Sequence, residues 1–344
     1  SSLLEDSHYQ PFAGIYSTYM IPYVENDERL MIEMLSDAIK SVYASAFFKD
    51  SKAYMTATMN VIDEEKMAIV LQEVCGERHG DRFYPSISGV ARSINFYPIE
   101  PEKPEDGIAN IALGLGKYIV DGGLTLRFSP KYPKKILQLG TPEMALRETQ
   151  QTFYALNLES SSFKTTVDDG ANLLKLRIKE AEMDGSLRDI ASTYDFENHV
   201  LREGMAHEGK RVITFSNILQ HDTFPLAEIL DTALKIGQKE MNKPVEIEFA
   251  VNLHKHKDEV RIFNLLQIRP IVDNKEALDV DLSDIIPEQV IIQSNSALGN
   301  GIIENLFDFV YIKPESFDPA KSKQIAEDIG RLNDVFLNEK RNYV

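Results

Sequence analysis

At 344 residues the chain is long enough to bury a large core and to form two or three domains or subdomains. Its formal charge of −17 argues against nonspecific binding to DNA or RNA, which needs Lys and Arg to neutralise phosphates, yet leaves room for a basic pocket that holds one nucleotide. The single cysteine, Cys75, rules out an internal disulfide framework and fits a reducing cytoplasm, and SSLLEDSHYQ at the start has no signal-peptide pattern. No apolar run approaches the roughly 18 residues that a membrane span requires.

Residues 1–24 collect small and hydroxyl side chains around Gly14. Such a loop can offer backbone N–H and hydroxyl groups to phosphate oxygens, or serve as an ordinary surface loop. Asn26 is placed to cap a helix running to about Ala46, with Leu30, Met34, Ala38 and Val42 on its apolar stripe. Met67 to Val74 reads as a buried strand, and Arg82 to Tyr97 as one or two strands broken near Pro85 and Gly89. Ile108 to Leu113 is a short apolar run that meets Gly114-Leu115-Gly116 and a helical turn, Lys117 to Val120. A lone Gly-x-Gly serves a tight turn as readily as a phosphate. A strand from Arg211 to Phe215 then leads to a helix from Pro225 to about Met241, with Thr223 as its cap.

Lys243 to Val272 carries the densest chemistry. Val245, Ile247 and Phe249 alternate with Glu246 and Glu248, which is the period of a strand. A polar tip, Asn252 to Glu259, turns the chain, and a second strand, Val260 to Leu266, delivers Gln267 and Arg269 just before Pro270. An antiparallel hairpin would gather two carboxylates, an amide and a guanidinium, donors suited to Mg²⁺ and to phosphate. The same alternation also describes a strand with one wet face. His254 and His256 flank Lys255 at the tip, where a solvated turn explains them better than a metal site. Beyond Val272 the composition becomes acidic and linker-like, with short strands expected at Val290 to Gln293 and Val310 to Ile312, and an amphipathic helix from Pro319 to Asn338.

Four stretches in order resemble the nucleotide-binding (ATP-grasp) domain of the phosphoenolpyruvate synthase and pyruvate phosphate dikinase family. SSLLEDSHYQPFAGIYSTYM is similar to its RSS…ED…FAG…T loop, and Leu71-Gln72-Glu73-Val74 to the strand that passes the adenine. SGVARSINFYP with GLGKYIVDGG resembles its SGV and GLG segments, and PVEIEFA…LLQIRP its closing hairpin. The resemblance implies an α+β fold with ATP-grasp-like mixed sheets and flanking helices. It assigns residues 1–272 to the major part of that domain and 273–344 to a linker and the start of a following α/β segment.

Its implied roles fall on particular positions. Gly14 and Thr18 would line the phosphate loop, and Gln72 and Glu73 the adenine hinge. Glu248 and Gln267 would hold Mg²⁺ against ATP, with Glu246 as a weaker ligand, and Arg269 would neutralise the transferring phosphoryl group. The implied activity is phosphoryl transfer from Mg-ATP to a histidine on a mobile domain, ultimately toward pyruvate or a related acceptor. A nucleotide-binding regulatory or scaffolding module without transfer is the alternative. Lys117 stands where the family usually has Glu, and none of the seven histidines has the family's Thr-Ser-His context. The family's Arg upstream of the first serines and the subdomain carrying its catalytic Lys would precede Ser1. The fold is therefore expected to be incomplete at the N-terminus, and the chain by itself to be inactive and to bind ATP weakly. A cytoplasmic location, with no nucleic-acid or membrane partner, is expected.

Overall fold

The computed structural model describes residues 16–49, 51–52, 68–159, 163–166, 168, 170–253, 260–271, 290–291, 305–313, 317, 321–339 and 341–344. The chain divides into two compact units, Ser1–Val272 and Asp273–Val344. Gly14, the hairpin-tip histidines 254 and 256, and the expected strand positions 292–293 lie outside the described residues. Among the described residues no helix is long and apolar enough to cross a membrane.

In the first unit, α1 (Glu28–Ser45) is followed by β1 (Glu77–His79), β2 (Arg82–Tyr84), β3 (Ile87–Arg92) and β4 (Ile108–Ala112). Then come α2 (Lys117–Val120), β5 (Leu126–Phe128), α3 (Pro142–Glu148), β6 (Thr152–Asn157), β7 (Leu173–Arg177) and α4 (Ile178–Met183). The unit continues through β8 (Ala191–Asp195), β9 (Val200–Glu203), β10 (Lys210–Ile213), α5 (Ser216–Leu219), α6 (Leu226–Met241), β11 (Val245–Asn252) and β12 (Ile262–Pro270). The class is α+β. Every strand pairing among the described residues is antiparallel, in sheets ordered β12-β11-β3-β4-β5, β1-β2-β6-β7 and β10-β8-β9.

The five-stranded sheet is built around β11, which is apolar at every second residue. Val245, Ile247, Phe249 and Val251 are each at most 1% exposed, a burial worth about 1.5–3 kcal/mol per side chain. Helix α6 lies on that face, with Leu226, Leu230 and Leu234 inward. It approaches closely because Gly237 faces the sheet, where a Cβ would come within 2.6 Å of Ile268 and 3.1 Å of Val245. The facing residues of β11, Glu246 and Glu248, therefore look away from the helix.

Several local expectations are corrected. The cap of α1 is Asp27, whose carboxylate accepts from Leu30 N–H at 2.9 Å, while the preceding Asn26 has φ +61° and only turns the chain. Thr223 does not cap α6; its hydroxyl donates to the Asn217 carbonyl at 2.9 Å, and Pro225 occupies the N-cap. Gly89 does not break a strand but sits inside β3, where the Phe249 ring fills the space a side chain would need, 2.1 Å from a built Cβ. Residues 68–76 form no strand, and Val70 and Leu71 are 71% and 64% exposed. An apolar, β-branched run has the same composition whether it pairs or passes over a sheet edge, and here only Val74 packs on the core.

The second unit contains α7 (Ser322–Glu339) and an isolated bridge between Asp308 and Tyr343. Val310 lies in coil rather than the expected strand, although its N–H reaches the Val344 carbonyl at 2.7 Å. Tyr343 stacks on Phe336 with ring centroids 4.6 Å apart and donates to Asn333 at 2.6 Å, tying the terminal residues to α7.

Candidate functional site

The pairing of β12 with β11 explains how the polar residues converge. Glu246 faces Arg269, Ile247 faces Ile268 and Glu248 faces Gln267, but Phe249 faces Leu265. Leu266 is thus an extra residue, a bulge in β12. Directly opposed residues share a face, so Phe263, opposite Val251, and Ile268, opposite Ile247, both lie with the apolar residues of β11. Strict alternation would place Phe263 and Ile268 on opposite faces. The bulge resolves that conflict and aims Gln267 and Arg269 beside Glu248 and Glu246. Pro270 is tolerated because β12 is an edge strand.

On the other flank β3 adds a residue that the sequence reading missed. Arg92 pairs with Glu246 across the β3–β11 ladder, giving a row Arg92–Glu246–Arg269 over adjacent strands. Glu246 is 6% exposed and its two carboxylate oxygens are divided between the guanidinium groups. Arg92 Nε donates to Oε2 at 2.5 Å; Arg269 donates to Oε1 from Nε at 2.9 Å and also from Nη2. Burial works to raise the Glu246 pKa, but the Arg269 hydrogen bond and the charges of Arg92 and Arg269 outweigh it and hold the carboxyl below its ordinary value. Glu248 behaves oppositely. Burial pushes its carboxyl up, opposed by the Arg269 charge and assisted by that of Glu246.

The polar face continues across the sheet, where Asn110 on β4 lies opposite Val90, and Arg127 on β5 opposite Asn110. Arg127 is already engaged, gripping Glu102 through both terminal nitrogens at 3.2 and 2.7 Å and donating to the Tyr97 carbonyl at 3.0 Å. It closes the loop before β4 rather than offering charge to a ligand.

Oxygen donors dominate the Glu248–Gln267 pair, a set that suits a hard cation such as Mg²⁺, which takes one or two protein ligands and completes its shell with water and phosphate. Among the described residues no group of three His, Cys, Asp or Glu is arranged to hold a metal. The pair therefore fits a substrate-borne metal better than a closed protein cage. Glu246, with an arginine on each oxygen, is placed to orient guanidinium groups more than to ligate.

Gln72 is brought to the same hairpin: its side-chain amide donates to the Leu266 carbonyl at 3.2 Å, on the bulge itself. Glu73 is exposed in the same segment, and its charge adds to burial in raising the Cys75 thiol. Thr18 lies in the coil before α1. The ties of its neighbours run elsewhere, from Ser17 N–H to Ser45 Oγ at 3.2 Å and from Tyr19 Oη to the Thr166 carbonyl at 2.6 Å. The Gly-Leu-Gly turn has its own structural employment. Gly114 N–H donates to the Pro85 carbonyl at 3.3 Å and Leu115 N–H to the Tyr154 carbonyl at 2.9 Å. Lys117 is paired with Asp121 at 3.1 Å.

With the geometry in place, comparison with known families shows that the model described as pyruvate phosphate dikinase, AMP/ATP-binding domain, matches residues 1–289. Comparison with curated proteins gives no match.

Proposed function

The chain belongs to the pyruvate phosphate dikinase AMP/ATP-binding family, and from that premise we propose that the polar face of β3, β11 and β12 holds Mg-ATP for phosphoryl transfer. The observation that carries this reading is the convergence of Glu248, Gln267, Glu246 and Arg269 on one face through the Leu266 bulge. A bulge that re-aims side chains against the simple alternation is a common device beside active sites.

In this reading Glu248 and Gln267 hold the metal, which when bound spreads the negative charge of adjacent phosphates. Arg269, locked by Glu246, presents its guanidinium to the transferring group, where charge must be stabilised without reorganisation. Gln72 and Glu73 border the base, and Gly14 and Thr18 belong to the phosphate loop. In this reading the phosphoryl group passes to a histidine on a mobile domain, and from there toward pyruvate or a related acceptor. The location is cytoplasmic. Glu248→Gln or Arg269→Ala in the intact protein should abolish ATP-dependent phosphorylation, and unchanged transfer in both would remove the assignment.

A nucleotide-binding regulatory or scaffolding module is the second reading. It draws on residues 273–344, whose described part is a helix with a short terminal bridge. Tight Mg-ATP binding by the intact protein without any phosphorylated histidine would favour it.

A further inference from the structure

Arg92 and Arg269 share one carboxylate but commit different parts of their guanidinium groups to it. Arg269 donates to Oε1 of Glu246 through both Nε and Nη2. Arg92 holds the other oxygen, Oε2, and does so through Nε alone. Its side chain is 49% exposed, and its two terminal amino groups have no hydrogen-bond partner among the described residues. Arg127, on the same face, shows the contrast: both its terminal nitrogens are committed to Glu102.

We propose that Arg92 is a second phosphate-binding residue of this site, steered by Glu246 so that its free guanidinium edge faces the polyphosphate of the nucleotide opposite Arg269. Glu246 is the pivot that sets the two guanidinium groups on either side of one phosphate position. The planar fork of arginine suits this task, since its terminal amino groups can chelate phosphate oxygens while Nε stays on the carboxylate. The proposal rests on the nucleotide reading above. Arg92 lies near the end of β3, where it pairs across β11 with the residue that also pairs with Arg269, so both cations approach the same end of the sheet.

The test is calorimetric titration of the intact protein with Mg-ATP and, separately, with adenosine, for the wild type, Arg92→Met and Arg92→Lys. Arg92→Met should weaken ATP roughly ten- to a hundredfold, the scale of a lost charged hydrogen bond, and leave adenosine unchanged. Arg92→Lys should recover part of the loss. ATP binding undiminished in Arg92→Met overturns the role of Arg92 and leaves the nucleotide reading standing. An equal fall for ATP and adenosine, or a lysine variant no better than methionine, would show that Arg92 acts through packing, and overturns it too. A wild type that binds neither ligand overturns the nucleotide reading itself, visible before any variant is compared.

Discussion

The side-chain amide of Gln72 donates to the main-chain carbonyl of Leu266 at 3.2 Å, and Leu266 is the residue without a cross-strand partner in the β11–β12 ladder. The contact joins the segment expected at the base of the nucleotide to the bulge that aims Gln267 and Arg269. Gln72→Ala keeps the backbone and removes only this tie. It should cost about 1 kcal/mol or less in urea unfolding and weaken Mg-ATP a few-fold by calorimetry, because Gln267 and Arg269 lose a support. Unaltered ATP affinity would separate the bulge from the site.

Gly89 is where the sheet is least forgiving. A methyl there would lie 2.1 Å from the Phe249 ring, which also stacks on Phe263 with centroids 5.3 Å apart. Gly89→Ala is expected to destabilise by about 1–3 kcal/mol, the usual cost of overpacking. Adding Phe249→Leu should make the double variant less damaged than the sum of the two singles. Strict additivity in denaturant unfolding would mean that the ring and the glycine do not compete for that space.

Removing the pivot should expose the repulsion it masks. Glu246→Gln keeps the shape but leaves Arg92 and Arg269 facing each other. Because both guanidinium groups retain water, with 49% and 34% side-chain exposure, the loss should be up to about 3 kcal/mol rather than that of a fully buried pair. Arg92→Met in the Glu246→Gln background should restore part of that stability. A further loss in the double variant would contradict the charge argument.

Away from the site, the β8–β9 hairpin carries an acid-sensitive element. Hydrogen bonds from the Asn198 side chain and backbone, then Arg202 and the Glu197 backbone, outweigh the effect of burial and hold the Asp195 carboxyl at about 2. A depressed carboxylate contributes stability that is fully present above its unfolded pKa, about 3.9, and is lost as pH falls through that value toward about 2. Denaturant unfolding over this acid range should therefore decline more steeply for the wild type than for Asp195→Asn. Parallel pH profiles would show that the charge of Asp195 is not coupled to folding.

Much of the hairpin was legible because a period of two leaves little choice: Val245, Ile247 and Phe249 had to be buried together, and Glu246 and Glu248 had to face the other way. The bulge was not read, because Phe263, Leu265, Leu266 and Ile268 are all apolar and alternation alone does not say which of them share a face. Arg92 escaped because glycine ordinarily weakens a strand, so β3 was divided at Gly89. What overrules that tendency is the Phe249 ring, distant in sequence and packed against it only in the fold. The extended segment 68–76 escaped for the opposite reason. Its apolar composition suggested burial, and nothing local reveals that it passes Leu266 through a side chain rather than a ladder.

The most direct measurement is a crystal structure of the intact protein with Mg²⁺ and a non-hydrolysable ATP analogue. The account predicts metal on Glu248 and Gln267, phosphate oxygens at Arg269 and the base beside Gln72 and Glu73. A nucleotide bound away from the polar face of β11 and β12, with Glu248 and Gln267 untouched, would contradict it.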